Sequence, residues 1–500
     1  MKIFFSIILL VPIMGVGQPY FSKYETFPKD GQYSRGMAWG DLNGDGWSDL
    51  LVGNESPEDF QSFNLIYWNL QGEGFRMEPL DLQHLWTEGI SMVDVDNDHD
   101  LDIFSSTQED NPNQLYLNNG QGEFTKVNAG EITADTLNSP GSCWADYDRD
   151  GDLDAFVLGK ELEDDHLYEN KGKLEFNNLR GPWEGKGNEA RACIWGDFNN
   201  DDRPDLYVNN YVIRNDGRLV SKHRNYLYLN MEDGFKEVEE GHYVTAEYAG
   251  YGVSVVDLES DGDLDIYVSN IAWSDDNNFY RNNGSAEFET VWDLEISKYL
   301  RKPTKGHTWG DFNQDGLIDL YLATGTVGSP VRFPEIQNYL MIQNPDSSFL
   351  RVYEDASVMT ADVSAGTASA DFDNDGDLDI AVANWGKGEN DNLFYLNQTT
   401  GKWLKIRLVG KESNSYGIGS WVTITTSHKG VLRTQKRYHY PFSGYGSMNE
   451  PIVHFGLGDD DLITRIEVKW PLGKIQNFRG IRANQTLIID EEEGIQSYSN

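Results

Sequence analysis

Apolar residues in this chain come in short runs set between polar, glycine-rich turns. Leu50-Leu51-Val52, Ile103-Phe104, Ala155-Phe156-Val157-Leu158, Leu206-Tyr207-Val208 and Ile266-Tyr267-Val268 each follow a cluster of Asp, Asn and Gly. Runs this short, bounded by turn residues, predict β-strands, and no helical period flanks the turns. A second element recurs as an aromatic strand led by Asn or His: Asn64 to Tyr67, Asn113 to Tyr116, His166 to Tyr168, Asn225 to Tyr228, Asn278 to Tyr280, Asn338 to Leu340 and Asn392 to Tyr395. A turn follows, then Phe75, Phe124, Phe176, Phe235, Phe288, Phe349 or Trp403. Each unit thus supplies four antiparallel strands, which is a propeller blade.

The turns between the first two strands share a nine-residue pattern. It starts at Asp41, Asp94, Asp146, Asp197, Asp257, Asp311 and Asp371, at spacings of 53, 52, 51, 60, 54 and 60 residues. Oxygen side chains stand at positions 1, 3, 5 and 9. They are Asp41, Asn43, Asp45 and Asp49; Asp94, Asp96, Asp98 and Asp102; Asp146, Asp148, Asp150 and Asp154; Asp197, Asn199, Asp201 and Asp205; Asp257, Glu259, Asp261 and Asp265; Asp311, Asn313, Asp315 and Asp319; and Asp371, Asp373, Asp375 and Asp379. Alternate carboxylates on a tight turn suit a hard cation such as Ca²⁺, with Gly at position 6 permitting positive φ. One such turn is ordinary loop chemistry; seven in register predict up to seven ions. His99 and Asp202 replace the position-6 Gly, so the second and fourth sites are expected to be weak or empty, and the longer Glu259 is expected to distort the fifth.

The fold class expected is therefore all-β: a seven-bladed propeller over residues 18–402, then a small β-rich domain over 403–491 and a tail over 492–500. Trp403 continues as Leu404-Lys405-Ile406-Arg407-Leu408, the start of that domain, which leaves the last blade short of an outer strand. The segment Tyr20 to Phe27 has the right character to supply it and close the ring. Trp39, Trp144, Trp195 and Trp309, two residues before their loops, are expected between blades rather than at a ligand.

Composition sharpens this picture. The net charge of -42 excludes non-specific nucleic-acid binding. Lys2, an apolar run to Val16 and Gly15-Val16-Gly17 lay out a signal peptide over residues 1–17, too short and too interrupted by Pro12 to span a bilayer. The mature chain is then secreted or extracellular, in the periplasm or at the cell surface if bacterial, with no transmembrane segment. Cys143 and Cys193 lie 3 and 4 residues ahead of their loops. On strands of alternating side-chain direction that parity need not make them face, and two buried thiols are expected.

The tandem loops resemble FG-GAP/VCBS repeats of integrin-α type propellers. Asn414-Ser-Tyr-Gly417-Ile-Gly419, His454-Phe-Gly456-Leu-Gly458, Val468 to Lys474 and Asn484-Gln-Thr486 resemble the ASPIC/UnbV domain. Together they resemble the cartilage acidic protein family. That resemblance implies a secreted calcium-binding propeller with adhesion-like roles and no established catalytic residues. An EGF-like module of some animal members has no counterpart, since no Cys follows Cys193.

Recognition is expected on the variable loops joining strands two and three, which antiparallel geometry places opposite the cation loops. They carry Tyr211, Trp273, Phe333 and Trp385 with Arg214 and Arg332, aromatics and cations suited to an extracellular glycan or protein partner. No catalytic motif such as HExxH or GxSxG is present. His307, inside a strand, reads as a core residue. A polysaccharide-active lyase or hydrolase is the alternative function.

Overall fold

The computed structural model describes residues 20–499, apart from 56–61, 188, 212–213, 216–217, 220–222, 273–274, 299–301, 326–335 and 386–390. The signal-peptide segment and Trp273, Phe333 and Arg332 fall outside the described residues, as does the side chain of Arg214.

Short apolar runs become strands because each is flanked by a turn that cannot continue it. The third unit shows the order from axis to rim: Ser142–Ala145, Asp154–Val157, His166–Asn170 and Phe176–Leu179, all antiparallel. Seven such blades surround one axis. Blade 7 takes its outer strand from the N-terminus, where Phe21–Lys23 pairs with Leu393–Asn397, Phe21 opposite Asn397. The predicted closure is what forms. It removes a free sheet edge from the last blade.

The core lies between blades. Both faces of each sheet are apolar, so every blade buries side chains against two neighbours. Trp39, Trp144 and Trp195 are fully buried there, and Trp309 is half-buried. Trp195 donates its indole N–H to the Cys143 carbonyl of the preceding blade at 3.3 Å.

Cys143 and Cys193 form a disulfide, with Cα atoms 5.8 Å apart, which overturns the expectation of free thiols. The parity argument has the opposite sign in a propeller. Alternate residues of an inner strand face the previous and the next blade. A bridge across one gap therefore needs opposite parity on its two strands, and offsets of 3 and 4 supply it.

The second domain is a pair of sheets. Lys402–Val409 lies between Val453–Gly458 and Gln485–Asp490, and Gly494–Ser499 pairs with the last of these. Trp421–His428 lies between Val431–Tyr438 and Leu462–Lys469. Leu404, Ile406, Val422, Phe455, Ile466, Val468 and Leu487 fill the space between the sheets. This domain sits on the cation-loop face. The Lys405 ammonium is 2.6 Å from Asp371 of blade 7, Gly456 N–H donates to Asp311 of blade 6 at 3.0 Å, and Tyr416 O–H donates to the His99 carbonyl of blade 2 at 3.2 Å.

From it a hairpin, Phe442–Ser443 and Ser447–Met448, enters the axial channel. Gly444 and Val253 of blade 5 exchange backbone hydrogen bonds of 3.0 and 3.1 Å. The Gly446 carbonyl accepts from Ile90 N–H of blade 2 at 3.3 Å, and Met448 pairs with Ala38 of blade 1. Tyr445, at the tip, is fully buried and donates its hydroxyl to Glu88.

Candidate metal and ligand sites

The seven loops share one hydrogen-bond circuit, and that circuit is what presents their carboxylates. The position-6 N–H donates to the position-1 carboxylate in all seven, at 2.7–3.1 Å. The position-9 Asp accepts from the backbone of position 2 at 2.9–3.4 Å. Its other oxygen accepts at 2.8–2.9 Å from the backbone of the residue ending strand three. That residue is Asn69, Asn118, Asn170, Asn230, Asn282, Gln343 or Asn397, and its side-chain amide donates to the position-2 carbonyl of the preceding blade's loop at 2.7–3.2 Å. The loops are thereby laced around the ring. Sequence reading missed these amides, although each stands two residues after the aromatic or Met of its strand.

Burial sets the electrostatics. Desolvation pushes the position-9 carboxyls up, to about 8 at Asp49, Asp102 and Asp205 and about 9 at Asp265. Neighbouring loop carboxylates add to the rise. A dication relieves both penalties, because it pairs with the charged form.

Three loops bring their acids together: Asp94, Asp96 and Asp102; Asp146, Asp148 and Asp154; and Asp371, Asp373 and Asp379, each set with ligand oxygens within 4.8 Å of one another. Asp371 Oδ1 is buried without a hydrogen-bond partner, an oxygen left for a cation. These donors fit Ca²⁺ by their chemistry: all oxygen, mostly carboxylate.

The second loop was expected to be weak, yet its acids converge. His99 adopts φ +73 and Asp202 φ +69, positive like the position-6 Gly residues of the other loops, which lie at +86 to +97. At His99 the second domain supports the turn, through Tyr416 and through Lys411 at 3.3 Å from Nε2. The first, fourth and sixth loops carry Asn rather than a carboxylate at position 3, so they have one acid fewer. In the fourth and sixth, Asn199 and Asn313 turn their amides onto Asp201 and Asp315, at 3.1 and 3.0 Å. In the fifth, Glu259 is drawn into an ion pair with Arg281.

The other end of the channel is built differently. Six residues before each loop stand Arg35, Glu88, Pro140, Arg191, Tyr251, Lys305 and Ala365, and each is followed by Gly except Arg191, which precedes Ala192. The Gly is required by close approach. A Cβ on Gly36 would lie 2.1 Å from the Gly446 carbonyl oxygen, and one on Gly366 2.3 Å from that of Arg35. Of the predicted recognition residues, Tyr211 and Trp385 reach this end: the Arg191 guanidinium lies 5.2 Å from the Tyr211 ring and that of Arg35 5.3 Å from Trp385. The in-register Gly was a signal the sequence offered for this ring. Arg214 contributes only backbone pairing with Leu219 among the described residues. His307 is fully buried between Ser254 and Ser269, at 2.8 and 3.3 Å, and burial lowers it to about 3.

Comparison with known proteins agrees with this architecture. An FG-GAP-like repeat family matches residues 41–105, 94–157 and 146–208, and an ASPIC and UnbV family matches 410–496. The molecule is thus an FG-GAP propeller bearing an ASPIC/UnbV domain. It carries both modules of the cartilage acidic protein family, and relatives of that name are similar to it. Human cartilage acidic protein 1 is 30% identical over 188 residues, 36% of this chain and 28% of that one. The mouse protein is 27% identical over 252 residues, 47% and 38% of the two chains. The alignments span about a third of the relatives' length. Among solved structures, the Dos1 propeller is 11% identical with a TM-score of 0.44, covering 76% of this chain and 97% of that one. An exotype rhamnogalacturonan lyase is 11% identical with a TM-score of 0.39, covering 73% and 72%. Likeness at that level carries no functional argument. No helix among the described residues is long and apolar enough to cross a membrane.

Proposed function

We propose that this protein is an extracellular, calcium-stabilised recognition propeller that binds a glycan or protein without transforming it. The observation that carries the reading is the contrast between ends: converging carboxylate sets under the second domain, and an aromatic and cationic ring at the far mouth of the channel. Repeated acids serve the scaffold, and variable residues on a rigid scaffold serve recognition. The boundaries proposed with it are a signal peptide over 1–17, a propeller over 18–402 and a second domain over 403–491, to which the expected tail over 492–500 is joined because Gly494–Ser499 pairs with Gln485–Asp490.

The test is a glycan and protein screen with the mature chain in millimolar calcium, run beside a turnover assay on every ligand retained. Retention without product is the expected outcome. Product release from a retained polysaccharide replaces this reading with the lyase or hydrolase alternative.

A further inference from the structure

Among the described residues, the ion pairs at the far end of the channel leave one cation out. Arg35 pairs with Glu55, Lys160 with Glu88 and Arg191 with Glu189. Lys305 has no counterpart among the described residues: its ammonium is fully buried and makes no hydrogen bond. It is a buried positive charge inside a protein whose net charge is -42.

A lone ammonium out of water is costly, and such groups are ordinarily paired. The neighbouring guanidiniums are also incompletely used. Arg35 Nε and Nη1 and Arg191 Nε are buried without partners. Three cationic side chains from blades 1, 4 and 6 thus carry spare donors in one region. Burial, with the adjacent Arg35 charge, holds the Lys305 ammonium down at about 7. An incoming anion would restore its full charge.

The walls are aromatic. The Lys305 ammonium lies 6.0 Å from the rings of both Tyr251 and Trp385, which come from blades 5 and 7 on either side of its own blade. The hairpin closes the inner end: Tyr445 packs on Tyr251 with centroids 4.7 Å apart. Tyr211 and Trp385 are half-buried at the outer side of this cluster, and Lys305 is fully buried beneath them. Apolar ring faces around a small number of aimed polar groups are the make-up of a ligand site. Aromatic faces suit the C–H surfaces of a sugar, and spare N–H groups suit a carboxylate.

We propose that this end of the axial channel binds an acidic saccharide by its carboxylate, with Lys305 as counter-ion and Arg35 and Arg191 as further donors. The site rests on the reading of this face as the recognition face, and it is independent of the calcium loops.

Titration calorimetry in saturating calcium tests it, with uronate oligosaccharides as probe. Neutral oligosaccharides of equal length, sulfate and phosphate serve as separate arms. The wild-type chain should bind the uronate, and Lys305→Met should bind it about thirty-fold more weakly or not at all. Without ligand, Lys305→Met should melt at or above the wild-type temperature, because it loses an unpaired buried charge. That melt also shows the variant folded. Equal uronate binding by wild type and Lys305→Met would overturn the proposal. So would equal affinity for neutral sugars, binding of sulfate or phosphate in place of uronate, or no binding in any arm. None of these outcomes bears on calcium, which is held saturating throughout.

Discussion

The two ends of the propeller use one backbone repeat in opposite ways. At the loop end, position 9 is Asp in all seven blades and its hydrogen bonds recur in each. At the far end, one position of the same repeat carries Arg, Glu, Pro, Arg, Tyr, Lys and Ala. Sameness around a ring marks a task every blade shares, which is holding its neighbours. Difference marks a surface shaped as a whole. The second domain covers the first end and sends a hairpin toward the other.

The comparison breaks most visibly if calcium is withdrawn. A ligand that binds only the native state stabilises it by about 2.7 kcal/mol per site at a hundred-fold excess over Kd. Three converging sites predict that chelation lowers the melting temperature by roughly 10 °C, read by calorimetry. An unchanged midpoint would remove the scaffold role from the loops.

The inter-blade disulfide should come next. It closes a 50-residue separation. Replacing both Cys143 and Cys193 by Ser is expected to cost about 2–4 kcal/mol in denaturant unfolding, with calcium-dependent stabilisation retained. Loss of that stabilisation would tie blades 3 and 4 to the cation loops more closely than the geometry does.

Gly36→Ala probes the hairpin. Its new Cβ meets the Gly446 carbonyl, and overpacking against backbone is expected to cost about 1–3 kcal/mol. Reduced domain–domain protection in hydrogen exchange should accompany it. A neutral result would show that the hairpin yields easily.

The smallest effect is on pH. In the cation-free protein Asp49, Asp102 and Asp205 sit near 8 when folded, against about 3.9 unfolded. The folded state then holds more protons between these values. Stability is fully present below the unfolded value and falls as pH rises toward 8. Chelated protein should therefore melt a few degrees lower at pH 8 than at pH 6. Saturating calcium should abolish or reverse that slope, since the ion favours the charged form.

Much of this was legible in the chain, and what was not has physical reasons. Loops, strands and ring closure could be read because each recurs in register. The disulfide was misread, because the opposite parity that parts two residues on one strand brings them together across the gap between two blades. The weakness expected of the second loop came from His99 alone. The contact that holds its turn comes from Tyr416, far away in sequence. Nothing local in the hairpin segment Ser443-Gly-Tyr-Gly-Ser447 reveals that it fills a channel. The ring containing Lys305 was hidden because its residues differ, and only the Gly after them repeats.

The hairpin also dictates an order of assembly. Blade 7 needs residues 21–23 from the start of the chain, and the axis needs residues 442–448 from near its end. The rim can close only once residue 397 has been made, and the axle only once residue 448 has. A polypeptide that finishes folding so late keeps its interior open through most of synthesis.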